Sequence, residues 1–257
     1  MNILAIDVGN THIEVGLYTN EEHITSWRIA TGVHRTEDEM VTFLSYFLSQ
    51  KNIKLTDVDD MIISSVVPNV TQIFQKMCQS FFKEDPLVVN NTIKTGIKID
   101  YNPPSGVGAD RICNAVAAYE KYGGPTIVVD FGTATTLDVV NENGVYLGGA
   151  IAPGLEMTAL SLYERTAKLP KISLEYPETI IGKTTEHSMQ AGIMFGTIKM
   201  VDGLIDLIKK EINGNVKVVA TGGLANHILS KSQYIEHYEP NLVLEGLIKI
   251  YFRNRNS

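Results

Sequence analysis

Residues 1–18 read MNILAIDVGNTHIEVGLY, and the fold turns on how they are divided. Ile3–Ile6 is a short continuous apolar run, the pattern of a strand buried on both faces. Asp7-Val8-Gly9-Asn10-Thr11 cuts it, and Ile13, Val15 and Leu17 then alternate with other residues at strand period. The stretch therefore spells strand, tight acidic turn, strand. The same arrangement returns at residues 126–140, TIVVDFGTATTLDVV, where a buried strand ends in Asp130 and the turn is Asp130-Phe131-Gly132-Thr133-Ala134. A period of half the chain is no solenoid array. It predicts two lobes of like fold that face one another.

The rest of each half is consistent with this. Ile24–Ile29 forms a third strand, and Thr36-Glu37-Asp38-Glu39 has capping-box spacing ahead of Met40, Phe43, Leu44, Phe47 and Leu48 at helical intervals. Met61–Val67, Val70–Phe82 and Leu87–Val89 read as strand, helix and strand. A helix through Ile112–Tyr119 follows. In the second half Leu137 with Val139, and Val145–Ile151, supply strands, and Glu156–Tyr163 reads as a helix. A long helix runs over residues 185–212, then a strand over Val216–Ala220, a helix over Leu224–Leu229 and a closing helix over Asn241–Tyr251. The later alternation predicts an α/β protein with a mainly parallel sheet. The expected lobes are residues 1–115 and 116–257, with the final helix available to pack on the first lobe and residues 103–122 passing between the two.

Composition sets outer bounds. The chain has 257 residues, 44% hydrophobic and 20% charged, which suits one large or two modest globular domains. A net charge of -7 argues against nucleic acid or an anionic membrane as a partner held by bulk charge. It leaves room for a nucleotide, whose phosphates are held by local backbone N–H groups and a metal ion. Ile3–Ile6 is too short for a signal peptide or a membrane span and lacks a basic flank. Cys78 and Cys113 form no CxxC and have no nearby histidine pair, so structural zinc is disfavoured and both read as buried free thiols in a reducing cytosol. The six histidines show no metal-binding spacing.

The chemistry of the doubled turn follows from its residue types. Glycine lets backbone approach an oxygen closely, and Thr and Asn add short donors. The aspartate repels phosphate but holds a cation that bridges to it. Two such turns would clasp a polyphosphate. Either copy alone also reads as an ordinary hairpin turn; two copies in corresponding places favour the phosphate. No GxxxxGK[ST] is present, so a P-loop is absent, and no GxGxxG follows a strand, which disfavours a Rossmann cofactor. Neither turn has a lysine, so cations would supply the countercharge. Thr221-Gly222-Gly223 follows a strand and is either a plain turn or backbone laid flat against a nucleobase or ribose. Residues 101–111, YNPPSGVGADR, make an irregular loop running into a helix. Asp110 in that helix's first turn is either a helix-start carboxylate or a catalytic base kept ionised by the helix field. Arg111 is either a solvated helix charge or a guanidinium orienting a substrate carboxylate or phosphate. Gly192 and Gly196 leave a smooth strip on the long helix, for close packing inside the fold or for a dimer contact.

DVGNT, YNPPSGVGADR, DFGTATT, GGAIAPG, TTEHSMQAG and TGGLA occur in this order. Together they resemble the type III pantothenate kinases, of the actin-like sugar kinase and Hsp70 superfamily, over almost the whole chain; GADR with DFGTATT is the specific part. The resemblance implies two actin-like, ribonuclease H-like lobes, each a mixed sheet with flanking helices. It implies ATP-dependent phosphorylation of pantothenate to phosphopantothenate, the first step toward coenzyme A. ATP would be contacted by the turn Asp7, Val8, Gly9, Asn10, Thr11, His12, Ile13 and Glu14 and by Thr133, with Gly222 and Gly223 at the nucleoside. Asp7 would position Mg2+, directly or through water, and Asp130 would bind a monovalent cation, K+ or NH4+. Tyr101, Gly108, Ala109, Asp110, Arg111 and Thr185 would contact pantothenate, with Asp110 as the base. A cytoplasmic homodimer with its site near the subunit interface is also implied. One departure stands at Thr184, where the family often carries Asn or Ser; a hydroxyl is kept. Another actin-like phosphotransferase, or a regulator of the Bvg accessory factor type, are the competing functions. The proline-rich loop into GADR opposes the first, and the retained Asp7, Asp110 and Asp130 oppose the second.

Overall fold

A computed structural model describes residues 1–32, 34–82 and 85–255. The chain forms two compact units, Met1–Ala117 completed by the C-terminal helix, and Ala118–Asn241.

The first unit opens with β1 (Asn2–Val8), β2 (His12–Thr19) and β3 (Glu22–Ala30), an antiparallel meander. Turns this short can join only antiparallel neighbours. Helix α1 (Glu37–Ser49) then carries the chain over to β4 (Asp60–Ser65), and α2 (Pro68–Phe81) to β5 (Leu87–Val88), both parallel to the strand they join. The strand order is β3-β2-β1-β4-β5. A short β6 (Lys98–Ile99) and α3 (Ala109–Tyr122) follow. The predicted capping box is formed: the Glu39 N–H donates to Thr36 Oγ1 at 3.3 Å, and the Thr36 N–H to Glu39 Oε2 at 2.7 Å. The face of α1 carrying Met40, Leu44 and Leu48 is buried with Leu4, Ile6, Ile13 and Val15 of the sheet and Phe74 and Met77 of α2. On the sheet, α6 (Leu242–Arg255) packs against β1 and β4 through Leu244, Leu247, Ile248 and Tyr251, all buried.

The second unit repeats the plan. β7 (Thr126–Phe131), β8 (Ala134–Val140) and β9 (Val145–Pro153) form a meander, and β10 (Lys217–Thr221) and β11 (His237–Tyr238) lie parallel to β7 on its other side, in the order β11-β10-β7-β8-β9. Helices α4 (Leu155–Arg165) and α5 (Thr185–Glu211) stand where the first unit has α1. Ile193, Met194, Ile198, Val201 and Ile205 of α5 cover Ile127, Val129, Leu137 and Val218 of the sheet.

Two expectations need correction. The sheets are mixed rather than mainly parallel, because each begins with a tight-turn meander and uses parallel strands only after a helical or long connection. The helix expected over Leu224–Leu229 is instead two 3-10 turns, Ala225–His227 and Leu229–Lys231. Their N–H groups bond three residues back, as in Ile228 to Ala225 at 2.8 Å. The apolar signal there is a single turn long, too short to nucleate an α-helix. Ser232 then draws the chain away by donating to buried Asp202 at 2.6 Å.

Candidate active site

In the first unit Asp7 is the penultimate residue of β1. It faces Glu14 across the antiparallel ladder and Ser64 across the parallel one, and Glu14 faces Arg28 on β3. Burial pushes the Glu14 carboxyl above the usual carboxylate range, and the Arg28 guanidinium opposes that shift. Beyond Asp7 the chain turns with the Gly9 N–H donating to the His12 carbonyl at 3.0 Å. Asn10, Thr11 and His12 are exposed at the tip, whereas Val8 and Ile13 are fully buried in the core. Val8 and Ile13 can therefore offer a ligand only their backbone.

Asp110 lies in the first turn of α3, where its Oδ1 accepts the Arg111 N–H at 2.8 Å. A Cβ at Gly108 would stand 2.5 Å from the same oxygen, and the Tyr101 ring lies over Gly106. Ala109 is buried and Arg111 is only 8% exposed, so Arg111 is not the solvated helix charge that spacing allows. Cys113, one turn further along α3, links the two acids. Burial pushes its thiol well up, and the negative charges of Asp7 and then Asp110 push it the same way, while a hydrogen bond with Ser64 opposes them. The charges of Asp7, at the end of β1, and of Asp110, at the start of α3, thus both act on the Cys113 thiol.

In the second unit Asp130 is the penultimate residue of β7, facing Thr136 on β8 and Thr221 on β10. The following turn is one residue tighter than its counterpart: the Gly132 N–H donates to the Ala134 carbonyl at 3.1 Å, which leaves Thr133 alone at the exposed tip. Gly222 has φ +94 and presses its backbone on Asp130; a Cβ there would fall 2.4 Å from Asp130 Oδ1. The Leu224 N–H donates to the Phe131 carbonyl at 3.2 Å and fixes that approach. Asp130, Gly132, Thr133 and Gly222 are brought together, with exposed Gly223 adjoining them. Thr185 begins α5 and is exposed. Thr184 caps that helix, its Oγ1 accepting the His187 N–H at 3.1 Å, which is the use the retained hydroxyl serves. Thr185 lines a shallow groove of about 400 Å3 with Thr158, Leu162, Leu169, Ser188 and Met189.

Among the described residues no cluster of three or more His, Cys, Asp and Glu side chains could hold a metal ion. A cation at Asp7 or Asp130 would complete its shell with backbone oxygen, water or phosphate. The surroundings of Asp130 suit such an ion: a carboxylate, flanking threonines and side-chain-free glycine backbone, all hard-oxygen chemistry.

Two residues to which sequence reasoning gave no role also touch the turns. Thr31 bonds the first, its hydroxyl donating to the Gly9 carbonyl at 2.7 Å. Gly154 bonds the second, its N–H donating to the Thr133 carbonyl at 3.2 Å. Each directly follows the third strand of its unit, and the duplication itself was the signal that could have found them. Asp138, fully buried and bonded by Tyr146 at 2.6 Å, was missed as well; its clue was an acid at a core position of an apolar strand.

Comparison with known proteins identifies the family. Residues 3–207 match the family described as type III pantothenate kinase. A protein of Listeria monocytogenes serotype 4a, named type III pantothenate kinase, is 47% identical over 98% of this chain and 98% of its own. Among solved structures, a Campylobacter jejuni protein described as a Baf family transcriptional activator superposes with a TM-score of 0.61 at 20% identity, covering 99% of this chain and all (100%) of that one. A Clostridium difficile activator of 2-hydroxyisocaproyl-CoA dehydratase with bound ADPNP gives 0.57 at 12% identity, over 99% of this chain and 95% of that one. The structural likenesses establish an actin-like fold and nothing more specific. On the match over most of its length and the near full-length relative, the chain belongs to the type III pantothenate kinase family.

Proposed function

We propose that this protein transfers the γ-phosphoryl group of ATP to the primary alcohol of pantothenate, giving phosphopantothenate for coenzyme A synthesis, with Asp110 as the general base. The observation that supports this reading is that the charges of Asp110 and Asp7 both reach the buried Cys113 thiol, as they would if a base lay near the turn that would hold the phosphates. A primary alcohol is a weak nucleophile, and phosphoryl transfer passes through a loose transition state, so alignment and charge neutralisation are the main tasks. Asp110, at the start of α3, would orient the hydroxyl and take its proton late. Backbone N–H groups of the Gly9–His12 turn, with those near Thr133, would hold phosphate oxygens; Gly222 and Gly223 would lie beside the nucleoside. Tyr101, Gly108, Arg111 and Thr185 would hold pantothenate, the Arg111 guanidinium pairing with its carboxylate.

Mg2+ at Asp7 and K+ or NH4+ at Asp130 would neutralise phosphate charge when bound. We assign the working form to a homodimer in the cytoplasm. Two features support that assignment. Gly192 and Gly196 are exposed, with nothing among the described residues within 4 Å of a Cβ built at either, so their smooth strip is left open there. Met157, Leu160 and Tyr163 form a second exposed apolar line along α4. Both cysteines are buried and free, as a reducing compartment allows.

The test is ADP release on adding pantothenate to protein, ATP and Mg2+, with glucose and N-acetylmannosamine as alternative acceptors, each with and without K+. Release with pantothenate alone, and more of it with K+, is the expected result. Release with a sugar, or none with any acceptor, overturns the assignment.

A further inference from the structure

In each unit the residue directly after the third strand is tied to the acidic turn. In the first it is Thr31, whose N–H donates to the Thr11 carbonyl at 2.9 Å and whose hydroxyl donates to the Gly9 carbonyl at 2.7 Å. In the second it is Gly154, whose N–H donates to the Thr133 carbonyl at 3.2 Å. The positions correspond. The β2–β3 ladder ends with His12 opposite Ala30 and the β8–β9 ladder with Ala134 opposite Pro153, and each tie lies one step past that last pair.

A peptide unit is planar and trans, so fixing the carbonyl of one residue fixes the N–H of the next on the opposite side. The Thr31 bonds therefore orient the N–H groups of Asn10 and His12, and the Gly154 bond orients that of Ala134. These are the donors that a phosphate seated in either turn would use. We propose that Thr31 and Gly154 are positioning residues that hold the turn amides in their nucleotide-binding orientation. The proposal rests on reading the turns as nucleotide contacts. Gly154 admits no side chain: a Cβ would fall 2.4 Å from the Thr133 carbonyl oxygen and 2.5 Å from that of Gly132. Thr31 keeps a side chain because its hydroxyl is the second tie.

The experiment compares Thr31→Val, Thr31→Ser and Asp7→Asn in the full chain. It reads the KM for ATP, the KM for pantothenate, the dissociation constant of a fluorescent ATP analogue without pantothenate, and thermal unfolding. Thr31→Val removes the hydroxyl bond and keeps the backbone one. It should raise the KM for ATP and the analogue's dissociation constant roughly five- to tenfold, the usual weight of one hydrogen bond. The pantothenate KM should stay at the parent value, and Thr31→Ser should restore ATP binding. Gly154→Ala should weaken ATP binding further; should it fail to fold, the Thr31 pair still decides. If Asp7→Asn impairs nucleotide binding and Thr31→Val does not, the positioning role is refuted while the reading of the turn survives. If neither variant affects the nucleotide, that reading falls and the proposal with it. Loss of stability that moves both KM values together, with no rescue by serine, shows a structural tie only and also overturns it.

Discussion

Asp110 sits in the first turn of α3, and its charge acts on the buried Cys113 thiol. Its Oδ1 is already engaged by the next N–H in the chain. Removing only the charge isolates the chemistry. Asp110→Asn should keep the parent melting curve and lower kcat by about 10²–10⁴-fold, the range for general-base assistance; an unchanged kcat removes Asp110 from that role. Cys113 offers a second measurement at this scale. Burial and the adjoining carboxylates push its thiol up, so little thiolate exists at pH 8. Iodoacetamide should leave Cys113 unmodified in the folded protein and alkylate it in denaturant, as peptide mass spectrometry would read; modification at equal rates in both states contradicts the burial. Arg111 shows the limit of sequence at this scale. Its spacing fits an exposed helix charge equally well, and only the packing that leaves it 8% exposed separates the two. The roles of Thr31, and of Gly154 within GGAIAPG, were hidden for a related reason, since a bond to a turn some twenty residues distant has no local pattern.

Among the elements, α3 is placed by α6. Gly246 lies against the α3 backbone so closely that a Cβ would fall 2.0 Å from the Cys113 carbonyl oxygen. Gly246→Ala should therefore push the helices apart, costing about 1–3 kcal/mol in urea unfolding as an overpacked contact does. Because Asp110, the proposed base, lies in the first turn of the displaced helix, kcat should fall as well. Thr36→Ala provides the contrast. It removes a cap worth about 1 kcal/mol and should leave kcat alone, because α1 carries none of the proposed site. Elements with long periodic signals were readable: the capping box before Met40, the alternation of Ile13, Val15 and Leu17, and the residues 185–212 helix, observed as Thr185–Glu211. Leu224–Leu229 misled because Ala225 and Ile228 are core residues at a spacing shared by 3-10 and α-helical turns. Strand direction was also beyond the pattern, since a buried apolar run looks alike in either orientation.

The molecule as a whole is one plan used twice, visible in the Asp7 and Asp130 turns and carried through to matching strand order. Its buried acids of high pKa set its response to base. Cys78 is pushed to about 12 by burial and then by the Asp60 and Asp85 charges, and burial also takes Tyr176 to about 12. Burial raises Tyr18 and Tyr251 too. An unfolded chain releases these protons from about pH 8.5 for Cys and about pH 10 for Tyr, while the folded chain holds them. Unfolding thus releases protons at high pH, so stability is complete below about pH 8.5 and declines as pH rises toward the folded values. Urea midpoints should fall steadily from pH 8.5 to 11, and a flat profile contradicts these shifts. At the outer surface, Leu160→Asp should convert a dimer to monomer in sedimentation; a parent that is already monomeric removes the homodimer.

The route of the chain has a consequence for biosynthesis. Residues 118–241 are continuous and can close their own core once they have left the ribosome, whereas the unit carrying Asp7 and Asp110 lacks α6 until all of that later sequence has been translated. The exposed face of β1 and β4 must wait uncovered through the making of more than a hundred residues. An interrupted chain would therefore present that bare apolar surface to chaperones and proteases, and never a finished first unit.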